Sequence, residues 1–196
     1  MKTLSTLKFQ KAGITPEDAA RKIRLVAMDI DGVLTDGRIG YTGTPDEIKF
    51  FHVRDGSGIT MLRRAGFLVG AISGRRSRAN QTRAAELKLD FLVEECWNKT
   101  QSLYHVAQER KLSLEQCLFV GDDLIDGWAM SAAGVGIAVG DASPEVLPAA
   151  DLQTTALGGQ GAIREIAEWL LKLQGRWEEQ LQHYHIPGHG PAPELP

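Results

Sequence analysis

Short apolar runs alternate with longer amphipathic segments along most of this 196-residue chain. The runs are rich in Val, Ile and Leu, which is typical of parallel strands buried on both faces. The longer segments repeat apolar residues at helical spacing and connect one run to the next. The pattern therefore predicts an α/β fold, a three-layer Rossmann-like sandwich with a central parallel sheet between layers of helices.

The boundaries of the predicted elements follow from the ends of these runs. The predicted strands are 23–30, 68–73, 91–94, 118–121, 135–139 and 151–154. The predicted helices are 16–22, 58–65, 76–87, 99–111, 124–133 and 162–173. Thr15 as a cap and Pro16 in the first turn mark the start of the first helix. The last helix is expected to continue toward Gln182 unless Gly175 interrupts it.

One segment, 37–52, breaks the alternation. Two β-rich pieces, 38–41 and 47–52, lie on either side of a Gly-Thr-Pro-Asp turn, which predicts a small β-hairpin flap. The chain is thus expected to comprise an N-terminal segment with a short helix (1–22), one α/β domain (23–173) and a C-terminal helical extension with an irregular Pro/Gly-rich tail (174–196).

Composition narrows the classes of partner. A net charge of −3 is too small to indicate a nucleic-acid partner. No apolar run approaches the ~18 residues of a membrane span, and the opening MKTLSTLKFQ lacks the apolar core of a secretion signal. A cytoplasmic protein without membrane contact is expected. Cys96 and Cys117 are too far apart for a CxxC site and are interpreted as reduced, buried apolar residues.

Polar side chains follow the strands at the points where each strand ends. Asp29 and Asp31 close the first predicted strand, Ser73 the second, and Asp122 the fourth, while Lys99 begins the helix after the third. In an open parallel sheet, ligands bind outside the carboxyl ends of the strands, where the strand order reverses. These residues are therefore expected to meet at one edge of the sheet.

A cluster of this kind requires a cation. Two like charges ~4 Å apart repel by roughly 4 kcal/mol at the effective dielectric near a protein surface. Asp29 and Asp122 can stay ionised together beside Mg²⁺, which prefers oxygen ligands and commonly binds one or two carboxylates plus a substrate phosphate. In the motif GDDLID, Asp123 and Asp126 are left open between helix capping and a role at the site.

The same residues predict a mechanism. The Asp29 carboxylate can attack phosphorus and form an aspartyl-phosphate. Asp31, two residues further along an extended chain, lies on the same side and can protonate the leaving alcohol and then deprotonate water. Ser73 and Lys99 can hold the phosphoryl oxygens, where stabilisation of charge matters most.

Four motifs in order carry a resemblance to a known superfamily. DIDGVLTDG, SGRRS, the lysine of WNKT and GDDLID resemble the motifs of the haloacid dehalogenase superfamily. Within it, DGVLTDG, HVRDGSGI and GGQGAIREI resemble the small tetrameric phosphatases of 3-deoxy-D-manno-octulosonate 8-phosphate (KDO 8-phosphate). The resemblance covers residues 23–173.

The resemblance implies a role for each matching residue. Asp29 is the implied nucleophile and Mg²⁺ ligand, Asp31 the acid/base and a ligand through its backbone carbonyl, and Asp122 the other Mg²⁺ ligand. Ser73 and Lys99 are implied to bind phosphate. The residues implied to handle substrate are His52, Val53, Arg54, Asp55, Gly56, Arg75 and Arg83, together with Asp31 and Lys99.

What the resemblance implies for function is Mg²⁺-dependent hydrolysis of KDO 8-phosphate to the free sugar acid and phosphate, during biosynthesis of the lipopolysaccharide core. Such proteins lack a large cap domain, so the hairpin is the only lid that the sequence offers. The resemblance also implies a ring-like homotetramer in which the hairpin and tail of a neighbouring subunit help to close the site.

Two alternatives stay open. One is a phosphatase of a related nine-carbon keto-acid phosphate, such as 2-keto-3-deoxynononate 9-phosphate. The other is a non-catalytic oligomerisation module of the same fold, similar to the C-terminal half of some sialic-acid cytidylyltransferases. Retention of Asp29, Asp31, Lys99 and Asp122 argues against the module, which would not need them.

Overall fold

A computed structural model describes residues 5–6, 15–43 and 46–191 of the chain. Its helices are α1 (Pro16–Arg21), α2 (Val53–Arg64), α3 (Arg78–Glu86), α4 (Lys99–Glu109), α5 (Gly127–Ala132), α6 (Ala162–Leu173) and α7 (Trp177–His183). Its strands are β1 (Ser5–Thr6), β2 (Leu25–Met28), β3 (Gly40–Tyr41), β4 (Glu47–Ile48), β5 (Leu68–Ile72), β6 (Phe91–Val93), β7 (Cys117–Gly121), β8 (Val135–Ala138) and β9 (Leu152–Gln153).

The main sheet has the strand order β1-β9-β8-β7-β2-β5-β6. All pairs from β9 to β6 are parallel, and only β1 is antiparallel to its neighbour, β9. From β2 the chain moves outward through β5 to β6, and it then returns to β7 on the other side of β2. The strand order therefore reverses beside β2, which is where a parallel sheet opens a crevice for ligands.

Two groups of helices flank the sheet, which confirms the predicted α/β sandwich. Helix α6 packs against α1 and α2, and α4 packs against α5. Because crossovers between parallel strands are right-handed, the reversal of direction at β2 puts α2 and α5 on opposite faces. The strands are apolar on both faces: Val26, Met28, Phe119 and Ile137 are all fully buried.

The sequence pattern located the parallel strands well and some other elements less well. Each of the predicted parallel strands is present, with ends within two residues of those expected. The predicted helix 124–133 is instead a 3₁₀ turn, Leu124–Asp126, followed by α5. Beyond α6 the chain turns at Gly175, with a φ of +69°, before α7 begins, so α6 does not continue unbroken toward Gln182 and Gly175 is the residue that interrupts it.

Helix α2 begins earlier than predicted, at Val53 rather than residue 58. Gly56 and Gly58 weaken the helical signal, since glycine is a poor helix former. Packing explains Gly58, because a Cβ there would lie 3.0 Å from the backbone Cα of Arg164 in α6, whereas one on Gly56 would meet only the flexible end of the Arg83 side chain. The HVRDG segment, residues 52–56, which lies between the predicted hairpin and the predicted helix, is thus the N-cap and first turn of α2.

The hairpin and the termini complete the description. Strands β3 and β4 pair antiparallel, Gly40 opposite Ile48, so the hairpin is confirmed, although its second strand is shorter than the predicted 47–52. Residues 44–45 of its turn lie outside the described residues, as do 1–4, 7–14 and 192–196 of the predicted terminal segments. The edge strand β1 was not predicted. No helix in the described part of the chain is both long and apolar enough to cross a bilayer.

Candidate active site

The carboxyl ends of β2 and β7 bring two of the predicted aspartates together. Asp29 follows β2, and its backbone N–H donates to the carbonyl of Val120 on the neighbouring β7 at 3.0 Å. Asp122 follows β7 directly. Gly32 has a φ of +90°, and a Cβ there would lie 2.1 Å from Oδ2 of Asp122. Glycine is therefore required at this turn, because the Asp122 carboxylate occupies the space of a side chain.

A third carboxylate, that of Asp126, completes a cluster that we call the carboxylate trio: Asp29, Asp122 and Asp126. One oxygen from each lies within 4.8 Å of the others. Asp126 is fully buried, and its Oδ2 accepts the backbone N–H groups of Asp122 and Asp123 at 3.0 and 3.3 Å. Asp126 thus both shapes the turn after β7 and adds charge to the site.

The carboxylate trio holds more negative charge than the protein neutralises. Burial, reinforced by the charge of Asp126, raises the pKa of Asp29 to about 7 despite the opposing effect of Lys99. Burial, followed by the charges of Asp126 and Asp29, raises the pKa of Asp122 to about 8. Both carboxyl groups are therefore held in an environment that disfavours their charged form.

Mg²⁺ fits this donor set. Asp29 Oδ1 and Asp122 Oδ1 are buried and have no hydrogen-bond partner. Orphaned buried oxygens are costly unless a cation or a donor meets them, and hard oxygen ligands are those that Mg²⁺ prefers. The Asp31 side chain is not part of the carboxylate trio. Its proposed ligation through the backbone carbonyl stays a prediction.

Lys99 supplies the positive charge that the protein does provide. It is the first residue of α4, which Asn98 caps by accepting the backbone N–H of Gln101 at 3.0 Å. Its buried Nζ lies 2.8 Å from Asp29 Oδ2 and 2.6 Å from Asp126 Oδ1. Burial alone would lower the pKa of Lys99, but the two carboxylates outweigh it, and the net pKa is raised. Lys99 is therefore a cation at the centre of the site.

Asp31 contacts a residue that sequence reasoning missed. Lys49, directly after β4, has its Nζ at 2.6 and 2.8 Å from the two oxygens of Asp31. The signal available in the sequence was the alternation of side chains along the hairpin strand, which puts Lys49 on the same side as Glu47. In the structure Glu47 pairs with Arg75, whereas Lys49 pairs with Asp31.

Ser73 and Arg75 follow β5, next to β2 in the sheet. Ser73 is buried, its backbone N–H donates to Val93, and its Oγ accepts the backbone N–H of Arg75 at 3.2 Å. Arg75 is half-exposed and forms its ion pair with Glu47 of the hairpin. Ser73 is therefore fixed at the same edge of the sheet as Asp29, while Arg75 points toward the hairpin.

The other predicted substrate residues lie around the start of α2. Asp55 is buried, and its carboxylate accepts the backbone N–H groups of Gly161 and Arg164 at 3.1 and 2.9 Å. It therefore caps α6, a structural role that the sequence did not reveal. His52 Nδ1 lies 3.9 Å from Asp55 Oδ2, and Val53 is exposed.

Arg54 and Arg83, both predicted to handle substrate, have different surroundings in the structure. Arg54 lines a cavity of about 550 Å³ beside α6, together with Gly161 and Trp169. Arg83 lies over the ring of Phe51 at 5.6 Å and pairs with Glu86 at 2.8 Å. No contact of either arginine with the carboxylate trio occurs in the described residues, and their roles toward substrate stay predictions.

Comparison with known proteins identifies relatives of this chain. The haloacid dehalogenase-like hydrolase family matches residues 80–163. KdsC of Escherichia coli K12, a 3-deoxy-D-manno-octulosonate 8-phosphate phosphatase, is 38% identical over 160 residues, which cover 82% of this chain and 85% of that protein. KdsC of Haemophilus influenzae is also 38% identical, over 79% of this chain and 86% of its own length.

Solved structures similar to this chain are phosphatases of the same kind as its sequence relatives. The Moraxella catarrhalis phosphatase, crystallised with a magnesium ion, a phosphate ion and KDO, superposes with a TM-score of 0.84 at 34% identity and covers 86% of this chain and 97% of its own. The cobalt-bound Haemophilus influenzae phosphatase gives a TM-score of 0.79 at 36% identity, with coverage of 82% and 94%.

Proposed function

This chain belongs to the family of KDO 8-phosphate phosphatases, within the haloacid dehalogenase-like hydrolases, and we propose that it hydrolyses KDO 8-phosphate to KDO and phosphate. The observation that carries the proposal is the carboxylate trio around Lys99 at the sheet edge, beside Asp31. This arrangement offers a nucleophile and a cation site side by side, with the acid/base two residues beyond the nucleophile in the chain.

The proposed reaction proceeds in two steps. An Asp29 carboxylate oxygen bonds to phosphorus as the bond from phosphorus to the sugar oxygen breaks, and Asp31 gives that oxygen a proton. Asp31 then takes a proton from water, whose oxygen bonds to phosphorus and releases Asp29 and inorganic phosphate. Asp29, Asp122 and the backbone carbonyl of Asp31 would hold Mg²⁺, which would stabilise the charge of the phosphoryl oxygens when bound.

The remaining predicted residues are assigned to binding. In the proposal, Ser73 and Lys99 hold the phosphoryl oxygens, and the burial of both side chains supports fixed positions for them. Arg75, Arg83 and the segment from His52 to Gly56 are proposed to contact the sugar acid. The Arg75 guanidinium, half-exposed beside the hairpin, is the cation best presented to the substrate carboxylate.

The test of the function is a panel of phosphate esters, assayed for phosphate release with Mg²⁺. We expect kcat/KM for KDO 8-phosphate to exceed that for hexose phosphates by at least about 100-fold, since the sugar acid alone carries a carboxylate for the arginines. A higher value for 2-keto-3-deoxynononate 9-phosphate would favour the nine-carbon alternative. Equal rates on all esters would contradict both substrates, and no release at all would favour the non-catalytic module.

We further propose that the chain assembles as a homotetramer in which a neighbouring subunit closes the site. Large exposed apolar side chains lie on the hairpin and beside the site, in the same chain segments as Lys49, Lys99 and Asp126. They are Tyr41, Phe50, Trp97, Leu124 and Trp128. Their grouping in the chain segments that carry the site supports an interface there.

Light scattering of the purified chain tests the assembly. We expect about four times the mass of one 21.4 kDa subunit, and the mass of a single subunit would contradict the proposal. The cytoplasmic location and the place in lipopolysaccharide biosynthesis stay predictions from the sequence.

A further inference from the structure

Lys49 is a buried cation to which the mechanism above gives no role. Its side chain is fully buried, although it follows a hairpin strand in which Ile48 is exposed. Its Nζ lies 2.6 and 2.8 Å from the two oxygens of Asp31, 3.0 Å from Asn80 Oδ1 and 3.9 Å from Glu47 Oε2. Lys49 thus donates hydrogen bonds to Asp31 Oδ2 and Asn80 Oδ1, and its contact with Asp31 Oδ1 is an ion pair.

Stability does not explain this arrangement. Taking the Lys49 ammonium out of water costs several kcal/mol, and an apolar pair of similar volume is often as stable as a buried ion pair. The ion pair does, however, fix geometry, because the fully buried Lys49 and Asp31, whose side chain is 18% exposed, must both keep one rotamer to stay within hydrogen-bond distance. Lys49 contacts both Asp31 oxygens, so it determines the direction of the whole carboxylate.

Asn80 connects Lys49 to the end of β5. It is buried in α3, and its Nδ2 donates to the carbonyl of Arg75 at 3.3 Å and to Glu94 Oε1 at 3.4 Å. Its Oδ1 is thereby turned toward Lys49. Lys49 is consequently anchored on the side away from Asp31 by a group that is itself held by two partners.

We propose that Lys49 is a positioning residue for catalysis, which holds the Asp31 carboxylate in the orientation from which it exchanges protons with the leaving oxygen and with water. The inference rests on the proposed function, because it assigns the role of acid/base to Asp31. Among the described residues, Lys49 is the only hydrogen-bond or ion-pair partner of the Asp31 side chain, so no other contact performs this task.

A double-mutant cycle tests whether Lys49 acts through Asp31. We expect Lys49→Met to lower kcat/KM for KDO 8-phosphate by about 10- to 100-fold, as loss of groups that orient active-site ligands commonly does. In an Asp31→Asn background, the same change is expected to cause less than about 3-fold further loss, since the residue it positions is already gone. Lys22→Met, at an exposed lysine on the end of α1, is the control and should leave activity unchanged.

A substrate with a different leaving group distinguishes a positioning role of Lys49 from a general structural role. With p-nitrophenyl phosphate the departing phenolate needs no proton, so Lys49→Met should lower kcat/KM by less than about 3-fold. Equal losses on both substrates, or additive losses in the cycle, would overturn the inference. Wild-type protein unable to hydrolyse KDO 8-phosphate would instead overturn the proposed function. If Lys49→Met does not fold, Lys49→Gln, which keeps a donor without the charge, allows the same comparisons.

Discussion

Replacing Asp29 with asparagine is expected to lower phosphate release from KDO 8-phosphate by at least about 10⁴-fold. An amide does not form the aspartyl-phosphate, and it weakens the site for Mg²⁺, while its shape matches that of the carboxylate. Steady-state phosphate release measures the effect. Asp18→Asn, at an exposed carboxylate on α1, is the matched control and should retain full activity.

Thermal unfolding without added metal shows whether Asp29→Asn is inactive because it lacks the nucleophile or because it does not fold. Since burial raises the pKa of Asp29 to about 7, the ionised carboxylate destabilises the folded chain, and Asp29→Asn should be at least as stable as the wild type. An inactive variant with an unchanged or higher melting temperature is the expected result. Retention of Mg²⁺-dependent activity by Asp29→Asn would contradict the assignment of the nucleophile.

The sequence predicted the fold because the strands carry their own signal. Val26, Met28 and their neighbours in β2 are apolar on both faces, which distinguishes a buried parallel strand from an edge strand. The same signal locates strand ends, so the sequence alone assigns Asp29 and Asp122 to one edge of the sheet. The structure brings both together with the predicted Lys99 and adds Asp126, whose role the sequence left open.

Other features depend on contacts between distant residues, which no local pattern reports. Lys49 meets Asp31 and Asn80, 18 and 31 positions away, only after the hairpin folds back over the sheet edge. Asp55 caps a helix more than 100 positions along the chain. In α2, Gly58 lowers the helical signal locally, and its reason is the close approach of the distant Arg164 backbone in α6.

Lys99→Met is expected to impair both stability and activity. Among the described residues, Lys99 is the only lysine or arginine paired with the carboxylate trio, and its removal leaves the buried carboxylates of Asp29 and Asp126 without a counter-charge beside the half-buried Asp122. Breaking a buried ion pair on one side typically costs about 3–5 kcal/mol. For a chain of this size we expect the melting temperature without metal to fall by about 10 °C. Phosphate release should fall by at least about 10³-fold, because a cation at the phosphoryl oxygens is lost.

A second variant separates these two effects. Adding Asp126→Asn to Lys99→Met removes one of the uncompensated charges, so it should restore much of the stability in urea or thermal unfolding, but not the activity. Lys172→Met is the control, since Lys172 forms an exposed pair with Glu168 at 3.3 Å, a kind of pair that contributes at most about 1 kcal/mol. If Lys99→Met unfolded at the same temperature as the wild type, charge compensation by Lys99 would be refuted. If the double variant regained activity with its stability, Lys99 would serve the fold alone, and the phosphoryl oxygens would need another cationic partner.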